Sequence, residues 1–557
     1  MRFLKLQTAG GRREVTSRFG GYWPEDGAAE NQFYDMRNLC ADAAPFLMPR
    51  GKRTKVFEGE TPQGIHGGEK LLYADAGVLY YNHAAVGEVT PGRKQFVQMG
   101  ARVLILPDKQ VFDTGTQTLS AVEARFRSVG EAVVSLSAWD GSELAGLTVQ
   151  ATAPEEPADG ALWLDTGSSP HRLCQYSAAG LCWTVRTDTA VRIAAKGIGA
   201  LFRAGDGVFL AGCREGGLDG AHILLDAAAD SIRFEGILDA GFVQQTPIVV
   251  TRKMPDLDFA VEVNNRIWGC NSAAREIYAC ALGDPFNWNT FAGTAADSYA
   301  ASVGTLGAFT GAAAYQGAAL FFKEGCVHKV LGSKPANFQV TFAPLLGVKA
   351  GAAASLALCE GNLLYQAADG VRVYGSGGTT LLSGRWGRDA AGCAGAVGGK
   401  YYLALPGRGV LCYDLASGLW HREDTAAVLG FAETGGTLYA QMRDGSVWRM
   451  AGEEAAGTAE EGVAWQAVTG EIALRTGAGS YVGGLYLRAM LEAGSTMKIE
   501  ASYDESGSFR TVYEIAGAAK RTYELPILPR LCESMRLRLS GRGDMRVYRL
   551  EKQVRSL

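Results

Sequence analysis

The feature that most constrains the fold of this chain is a strand–turn–strand hairpin that recurs at a fixed interval. Residues 363–374 and 437–448 each run from an apolar strand through an Asp-Gly pair into a second strand, which is a strong hairpin signal. Residues 400–414 form a third hairpin, around a glycine turn, midway between the other two. One tyrosine anchors each hairpin, at intervals of 37 residues. The anchors are Tyr365, Tyr402 and Tyr439.

Each repeat supplies enough strands for one blade of a β-propeller. A strand rich in small residues precedes every hairpin and the following segment can add a fourth strand, so one unit takes about 40 residues. Weaker copies upstream bring the expected number of blades to about six or seven. These copies lie at residues 71–81, 103–112, 266–280 and 319–330. The predicted fold is therefore all-β, with the first propeller blades at 61–122 and the remaining blades at 256–452.

Residues 123–255 interrupt the repeat and predict inserted small β modules. Trp163, Tyr176 and Trp183 lie in consecutive short strands, which predicts a hairpin-rich module with its own aromatic core. Further strands around Asp-Gly turns at 204–224 predict a small barrel that ends near residue 250. An insertion of this kind is tolerated where the two ends of a loop lie close together.

The two ends of the chain are expected to form additional β structure. Residues 1–60 are predicted to be an N-terminal arm that could complete the last blade and close the propeller. Residues 452–462 contain no large apolar side chain and are the best linker. Beyond it, residues 463–557 contain five or more strands in which apolar and polar residues alternate, as in a strand with one buried face. This pattern predicts a C-terminal β-sandwich.

Composition places the chain among ordinary globular proteins. Hydrophobic residues make up 47% and charged residues 20%, and the 73 glycines fit many tight turns. A net charge of −4 demands no nucleic-acid or anionic-membrane partner. No segment approaches the roughly 20 apolar residues that cross a bilayer, and residues 1–7 lack the apolar run of a secretory signal. Eleven cysteines without a Cys-x-x-Cys pair predict a reducing compartment.

No motif in the sequence predicts a catalytic, metal or cofactor site. The chain has no Gly-x-Ser-x-Gly, no Walker loop and no complete Gly-x-Gly-x-x-Gly, since 197–199 lacks the third glycine. Its six histidines are all more than ten residues apart, which excludes a local metal motif. They are His66, His83, His171, His222, His328 and His421. We therefore predict no catalytic residues, no metal, no cofactor and no enzymatic activity.

Paired carboxylates are the one constellation that a propeller enzyme would need, because glycosidases place two of them beside a sugar bond. The candidates are Asp284, Asp297, Asp369, Asp414 and Asp444. Asp369 and Asp444 occupy the turns of the repeat, where aspartate caps its own turn, so a structural role is favoured for them. Residues 502–509 resemble a sialidase Asp-box, but the spacing is one residue off and a hairpin turn explains them better.

Two local clusters have both a structural and a functional interpretation. The basic cluster at 50–55 is predicted to be a solvated loop edge, with phosphate binding as the less favoured alternative; its members are Arg50, Lys52, Arg53 and Lys55. The string 264–271 continues into 282–289, where Trp268 and Trp288 can pack inside a blade. For that string too, packing is favoured over ligand binding.

The same string resembles a blade of bacteriophage tail nozzle and tail-hub proteins of the tail tubular protein B type. There, an Arg-hydrophobic-Trp strand runs into a segment of the form Asp-Pro-x-Asn-Trp. The N-terminal segments are similar to the openings of such virion proteins, and residues 160–166 resemble small modules of tail and fibre proteins. The N-terminal segments concerned are 19–22, 33–39 and 49–51.

The resemblance implies a structural virion protein that is assembled in the host cytoplasm and forms a ring, with six subunits expected. It implies roles in tail assembly, adsorption or closure of the DNA channel. The implied partners are an adaptor, fibres and double-stranded DNA that passes through the lumen without sequence-specific binding. Aromatic residues of the arm could supply one face of the ring contact; they are Phe19, Tyr22, Trp23, Phe33 and Tyr34. The alternative function is a carbohydrate-active or carbohydrate-binding propeller.

Overall fold

The computed structural model describes residues 12–375, 377–453, 456–473 and 480–556, and these residues form an all-β protein. The helical content of the described residues is four short 3-10 turns. They are Gly216–Leu218, Pro335–Asn337, Ala353–Ser355 and Gly384–Trp386. Short runs of aromatic and β-branched residues between glycine turns fold as strands because such side chains fit a pleated, half-buried surface.

The chain divides into two compact units. Unit 1 contains Met1–Lys94 and Leu345–Leu557, and unit 2 contains Gln95–Pro344. The division differs from the predicted domain boundaries, because each unit includes both propeller blades and additional β modules. Unit 1 is assembled from two segments that are distant in sequence, whereas unit 2 is one continuous stretch.

Seven antiparallel sheets of blade size occur among the described residues, six with four strands and one with five, and the fold is a β-propeller with added β modules. Four of the sheets lie in unit 1 and three in unit 2. In chain order, the strands of blades 1 to 4 are Pro62–Gly67, Leu71–Asp75, Val78–Tyr81 and Ala84–Glu88; Gln95–Met99, Arg102–Leu106, Gln110–Asp113 and Thr118–Ala121; Phe259–Val263, Arg266–Asn271, Glu276–Ala279 and Tyr299–Ser302; and Gly311–Tyr315, Ala318–Lys323, Cys326–Leu331 and Gln339–Pro344. The strands of blades 5 to 7 are Ala357–Cys359, Asn362–Ala367, Gly370–Gly375 and Gly378–Ser383; Cys393–Val397, Lys400–Leu405, Gly409–Asp414 and Leu419–Arg422; and Val428–Thr434, Thr437–Met442, Val447–Ala451 and Thr54–Phe57.

Blade 7 combines strands from opposite ends of the sequence. Its fourth strand, Thr54–Phe57, precedes blade 1 in the chain and pairs antiparallel with Val447–Ala451. A short fifth strand, Thr458–Ala459, pairs with the other edge of Thr54–Phe57. Backbone hydrogen bonds therefore join the segment before blade 1 to the end of blade 7.

Neighbouring blades in unit 1 are joined by a buried glutamine in a repeated position. Gln441 of blade 7 accepts the N–H of Gly64 on its Oε1 at 3.0 Å, and its Nε2 donates to the carbonyl of Ala74 at 2.9 Å in blade 1. Gln366 of blade 5 likewise accepts the N–H of Gly392, next to blade 6, at 3.0 Å. Both glutamines are fully buried.

These glutamines correct the register of the sequence repeat. Gln366 and Gln441 each lie three residues before the aspartate of the Asp-Gly turn, so they are equivalent positions. Counted from that turn, Tyr365 corresponds to Ala440 and not to Tyr439. The burial agrees, since Tyr365 and Ala440 are buried whereas Tyr439 is half-buried. The equivalent glutamines are 75 residues apart, whereas Tyr365 and Tyr439 are 74 apart, so the third anchor tyrosine was displaced by one residue.

The insertion in unit 2 consists of two modules, one nested inside the other. An eight-stranded antiparallel sheet surrounds one apolar cluster. Its strands are Ala124–Arg127, Ala132–Ala138, Thr189–Ala194, Gly207–Ala211, Gly220–Ala228, Ser231–Glu235, Phe242–Gln244 and Val249–Arg252. A smaller four-stranded sheet interrupts it between residues 138 and 189, with strands Thr148–Gln150, Leu162–Asp165, Arg172–Ser177 and Cys182–Arg186. The predicted aromatic core of this hairpin module is present, with Trp183 at 5.3 Å from both Trp163 and Tyr176 between ring centroids.

The C-terminal β-sandwich is built on two long strands. The first half of Ser480–Tyr503 pairs with Met545–Ser556 and the second half with Ser534–Arg542, while Arg510–Leu525 follows its opposite edge. Apolar side chains from all of these strands belong to one buried cluster. Shorter strands, Ala464–Thr469 and Ile472–Ala473, pair with Ser534–Arg542.

The N-terminal arm is a structural part of unit 1 and not a free extension. Strand Arg12–Thr16 pairs with Met545–Ser556, and Phe33–Arg37 pairs with Ala464–Thr469, so the arm adds two strands to the sandwich. After them in the chain, a two-stranded ladder joins Leu39–Cys40 to Met48–Pro49. The sequence analysis did not assign these strands to the C-terminal module, because pairing between segments more than 400 residues apart leaves no local signal.

The aromatic residues of the arm pack on their own chain, which corrects the expectation that they form a patch for a neighbouring subunit. Phe19, Tyr22 and Phe33 are buried in unit 1. Tyr22 stacks on Trp386, with ring centroids 6.1 Å apart. The remaining two aromatics each lie under an arginine: Trp23 at 3.7 Å from Arg385 and Tyr34 at 4.5 Å from Arg536.

Candidate functional site

The carboxylates of unit 1 that the sequence analysis singled out hold turns. Asp444 accepts the N–H and the hydroxyl of Ser446 at 3.0 and 2.6 Å, and the hydroxyl lowers the pKa of Asp444. Asp369 forms a two-point ion pair with Arg372 at 2.9 and 2.6 Å, which lowers its pKa. Asp414 accepts the N–H of Ser417 at 2.7 Å. The turn role predicted for Asp444 is therefore observed, whereas the carboxylate of Asp369 pairs with an arginine of the strand that follows its turn.

The two carboxylates of unit 2 also cap local backbone. Asp297 accepts the N–H groups of Gly293 and Thr294 at 2.6 and 3.1 Å. Asp284 accepts the N–H of Phe286 at 3.1 Å and the side-chain amide of Asn287 at 2.7 Å. The structure gives each of these oxygens a partner within its own loop.

The six histidines are dispersed over the fold. Among the described residues, no three His, Cys, Asp or Glu side chains lie where they could share a metal ion. His171 contacts Asp239 at 2.8 Å, and His222 contacts the carbonyl of Leu218 at 2.8 Å. Burial lowers the pKa of His421 to about 4, so this ring is neutral at physiological pH. His83 contacts the hydroxyl of Tyr73 at 3.2 Å.

Two remaining motifs are turns. The N–H of Gly197 donates to Asp230 at 2.6 Å, and Ile198 is fully buried in the inserted sheet. The Asp-box-like segment contains the turn between Ser480–Tyr503 and Arg510–Leu525, where Asp504 accepts the N–H of Glu533 at 2.8 Å. Neither geometry differs from an ordinary connection between strands.

The basic cluster at 50–55 was predicted to be solvated, and for its two arginines this prediction was wrong. Arg50 and Arg53 are buried at 6% and 2% exposure. Arg53 forms an ion pair with Glu423 at 2.5 Å and another with Asp424. Arg50 makes a two-point contact with Glu460 at 2.7 and 2.9 Å. We call this set of five side chains the unit 1 ion-pair network.

The unit 1 ion-pair network joins the arm to two other segments. Glu423 and Asp424 follow the last strand of blade 6, and Glu460 lies just before the sandwich. Burial opposes the charge of Glu460, but hydrogen bonds from Arg50 and from the N–H of Arg53 keep its pKa below the usual value. Each of the five groups therefore lies against an opposite charge, two guanidinium groups against three carboxylates, which a buried ionic cluster requires.

In unit 2, residues 282–289 form the junction between blade 3 and the inserted sheet. The buried side chain of Asn287 donates to Asp206 at 3.1 Å and to Asp284 at 2.7 Å, and its oxygen accepts the N–H of Gly207 at 3.0 Å. Asp206 also forms a buried ion pair with Arg252, on the neighbouring strand of the inserted sheet. The side chain of Asn287 thus connects the loop of blade 3 to the insertion through hydrogen bonds.

Phe286 completes this unit 2 junction. Its ring lies 4.7 Å from Arg203, 5.6 Å from Arg252 and 5.8 Å from Arg102, within the range of cation–π attraction. Arg203 and Arg252 belong to the insertion and Arg102 to blade 2. Asp284 lies 4.0 Å from Arg102 and from Arg203. Residues 282–289 therefore connect three modules: blade 2, blade 3 and the inserted sheet.

Comparison with known proteins adds no assignment. No family model matches the chain. No curated protein matches it. Solved structures give remote similarities: BamB from Moraxella catarrhalis shares 10% identity over 72% of this chain and 100% of its own, with a TM-score of 0.33. YCF48 from Cyanidioschyzon merolae shares 8% identity over 72% of this chain and 97% of its own, with a TM-score of 0.25. An exo-beta-1,3-galactanase from Phanerochaete chrysosporium shares 10% over 53% of this chain and 94% of its own, with a TM-score of 0.20.

These similarities carry no argument about function, so the chemistry of this chain has to come from its own side chains. Within the described part of the chain, no helix is long and apolar enough to cross a membrane. All eleven cysteines are free, and nine of them are buried. Burial raises the pKa of Cys280 and Cys393 to about 12, which keeps both thiols protonated.

Sequence reasoning missed the unit 1 ion-pair network because its partners come from three distant segments. A usable signal existed: Arg50 and Arg53 precede a strand that has to join the propeller, and acidic pairs occur at 423–424 and 460–461. Nothing in the sequence, however, brings these segments together. For the unit 2 junction the string itself was found, but its partners Asp206 and Arg252 were not.

Proposed function

We propose that the protein is a structural component of a bacteriophage tail, a nozzle or hub protein that works in a ring of identical subunits. Its task would be tail assembly, adsorption or closure of the DNA channel, with an adaptor, fibres and the passing DNA as partners. The protein would act by its shape and its contacts and not by catalysis.

The observation that supports the proposal is that residues 282–289, the most distinctive segment of the sequence, hold modules of the fold together. Residues 282–289 resemble a segment of phage tail proteins, and here Phe286 and Asn287 bind an inserted module to two blades. A protein that has to transmit load between modules benefits from such junctions. The carboxylates that a hydrolase would expose instead hold turns, which also favours a structural role.

The decisive experiment locates the protein and measures its mass. We expect an antibody against the chain to label the tail of purified virions by electron microscopy. Mass photometry of the full chain, alone and with its tail partners, should show a closed oligomer of identical subunits. A protein that is absent from virions and strictly monomeric in both settings would contradict the proposal.

A carbohydrate-binding role is the second candidate, and one observation favours it. A cleft of about 620 Å³ separates the hairpin module from the inserted sheet, within the size range of ligand sites. Polar side chains line it, among them His171, Glu215 and Glu235. Screening the purified protein against a glycan array tests this role, since binding that is lost in Glu235→Gln would favour it over the structural one.

A further inference from the structure

Blades 6 and 7 of unit 1 enclose a cavity whose charged lining is entirely cationic. The cavity has a volume of about 210 Å³ and lies among the start of blade 6, its second turn and the loop that leads into blade 7. Arg93 and Arg443 are the charged residues of its lining. The floor is made of buried small residues, Gly392, Cys393 and Gly409 among them.

The two arginines face this cavity without a carboxylate partner among the described residues. Both are exposed. The side chain of Arg93 makes one long contact, 3.4 Å, to the carbonyl of Leu429, and the N–H of Arg443 is held by the carbonyl of Ala427 at 2.8 Å. Asp444 directly follows Arg443, but its carboxylate accepts the N–H and the hydroxyl of Ser446. Asp424, which precedes the loop into blade 7, is paired with Arg53. In blade 6 and its second turn, by contrast, Arg408 pairs with Asp389 at 2.7 Å and Arg422 with Asp35 at 3.1 Å.

The two arginines share the cavity lining with the buried Cys393. Burial raises the pKa of the Cys393 thiol, and Arg93 and Arg443 both act to lower it. The thiol stays protonated, so it adds no negative charge that would compensate them.

Two glycines of the floor could not carry a side chain without displacing backbone. Gly409 has a φ of +83°, and a Cβ at this position would collide with the carbonyl oxygen of Asp424. A Cβ on Gly392 would collide with the carbonyl oxygen of Ala404. Close backbone packing within blade 6 and the segment that follows its last strand therefore fixes these two glycines in the cavity lining.

We propose that this cavity is a binding site for a small oxyanion, a carboxylate or a phosphate group on a molecule no larger than a monosaccharide. Guanidinium groups recognise both anions through paired, charge-assisted hydrogen bonds. The volume is below the roughly 300–1,000 Å³ of sites for larger ligands, which restricts the size of the molecule. The site goes beyond the proposed structural role and does not depend on it.

Calorimetric titration at constant ionic strength tests the site with three probes on the full chain. Inorganic phosphate and glucuronate are the anions, and glucose is the uncharged counterpart of glucuronate. We expect at least one anion to bind and glucose not to bind. Binding of phosphate alone would support the site with a phosphoryl group as its ligand, and binding of glucuronate alone would support it with a sugar acid.

Variants decide whether the cavity is responsible. Arg93→Gln with Arg443→Gln should weaken anion binding at least about tenfold, because both charge-assisted contacts are removed. Both positions are exposed, so the double variant should keep the thermal midpoint of the wild type. Arg125→Gln removes an exposed arginine of the inserted sheet and should leave binding unchanged.

Three results would overturn the inference: no binding of either anion, equal binding of glucose, or a double variant that binds as tightly as the wild type. An equal loss in Arg125→Gln would also overturn it, since the anion would then follow the general surface charge. None of these results bears on the virion test, so failure of the site and failure of the structural role are distinguishable.

Discussion

At the scale of single residues, the structure depends on charges that are buried and matched. Arg53 and Glu423 are 2% and 4% exposed, and their ion pair measures 2.5 Å. Removing Glu423 would leave Arg53 with Asp424 as its remaining ion-pair partner, and the lost charge-assisted hydrogen bond is poorly replaced in so weakly solvated a place. A surface ion pair of the same length has no comparable effect.

Glu423→Gln should therefore lower the free energy of unfolding of unit 1 by about 3 kcal/mol, measured by urea denaturation at pH 7.5. The control is Glu58→Gln. Glu58 pairs with Lys55 at 2.6 Å, but its side chain is 75% exposed, so its loss should cost less than about 0.5 kcal/mol. Equal effects of the two variants would contradict the assignment of a buried network.

His421 makes stability depend on pH. Burial lowers its pKa from 6.5 to about 4, with the neighbouring Lys400 acting in the same direction and Asp414 against it. Between these values the unfolded chain binds the proton more readily, so stability is complete above about pH 6.5 and falls as the pH drops towards 4. The loss from this one group can reach about 3 kcal/mol.

We expect His421→Met to flatten the fall in the unfolding midpoint of unit 1 between pH 6.5 and 4.5. Urea titrations at four pH values in this window measure it. The variant also shows its packing cost separately, at pH 7.5, where the ring of the wild type is neutral. A slope identical to that of the wild type would mean that His421 does not titrate in this window.

At the scale of elements, the propeller depends on contacts between successive blades. Strands of one blade are held by their own backbone ladder, whereas neighbouring blades meet through side chains. Gln441 replaces a backbone ladder at one such boundary, because its amide pairs with both Gly64 and Ala74. Gln366 does the same between blades 5 and 6.

Gln441→Leu should destabilise unit 1 by about 2–4 kcal/mol, since it buries an unpaired N–H and an unpaired carbonyl. Leucine fills a similar volume, so the loss reports the hydrogen bonds and not a cavity. Gln150→Leu is the matched control on the hairpin module, where the side chain is exposed and bonds only to Thr152 at 2.7 Å. A melting temperature unchanged in Gln441→Leu would refute the role of the glutamine.

The arm shows that an element can belong to a module far away in sequence. Met36 and Leu39 are fully buried in the same cluster as the sandwich residues Leu487 and Val547. Deleting residues 1–40 would therefore remove part of the sandwich core. A loss of subunit assembly in this deletion could therefore not be told from a loss of folding. The single substitution Trp23→Ala removes less of the arm and is the milder test of its role in assembly.

At the scale of the whole molecule, the two ends of the insertion lie close enough together for it to be deleted from the chain. Ala124 and Arg252 are directly paired, so the two ends of the insertion are adjacent strands. Blade 2 ends before this pair and blade 3 begins after it. That residues 61–122 and 256–452 form one closed propeller stays a prediction, and an experimental structure of the full chain tests it.

Replacing residues 127–249 with a two-residue Asn-Gly turn should leave the blades folded. The pairing of Ala124 with Arg252 already brings the ends together, so the turn closes an existing ladder. Some stability will be lost, because Asn287 then lacks Asp206 and Gly207 as partners. Limited proteolysis and circular dichroism measure whether the shortened chain is folded. A shortened chain that does not unfold cooperatively would contradict the claim that residues 127–249 are an insertion that the blades do not need for folding.

The sequence by itself determined the all-β class, the blade hairpins, the hairpin module with its tryptophans and the strands of the sandwich. These features are local: an Asp-Gly turn or an alternating strand acts over ten residues, and the pattern persists wherever the segment ends up. The period of the repeat came from the same source, although Tyr439 showed that aromatic anchors alone do not settle the register.

The tertiary structure alone decided which distant segments meet. The arm in the sandwich and the partners of Arg53 and Asn287 all involve residues that are far apart in the chain. Only the completion of the last blade by an N-terminal strand, Thr54–Phe57, was among the expectations from the sequence. Pairing of this kind depends on the shape of the folded modules and on matching a buried charge or amide with whatever group arrives beside it. A basic or polar residue looks the same in the sequence whether it will be solvated or buried, so its role is settled only when the chain has folded.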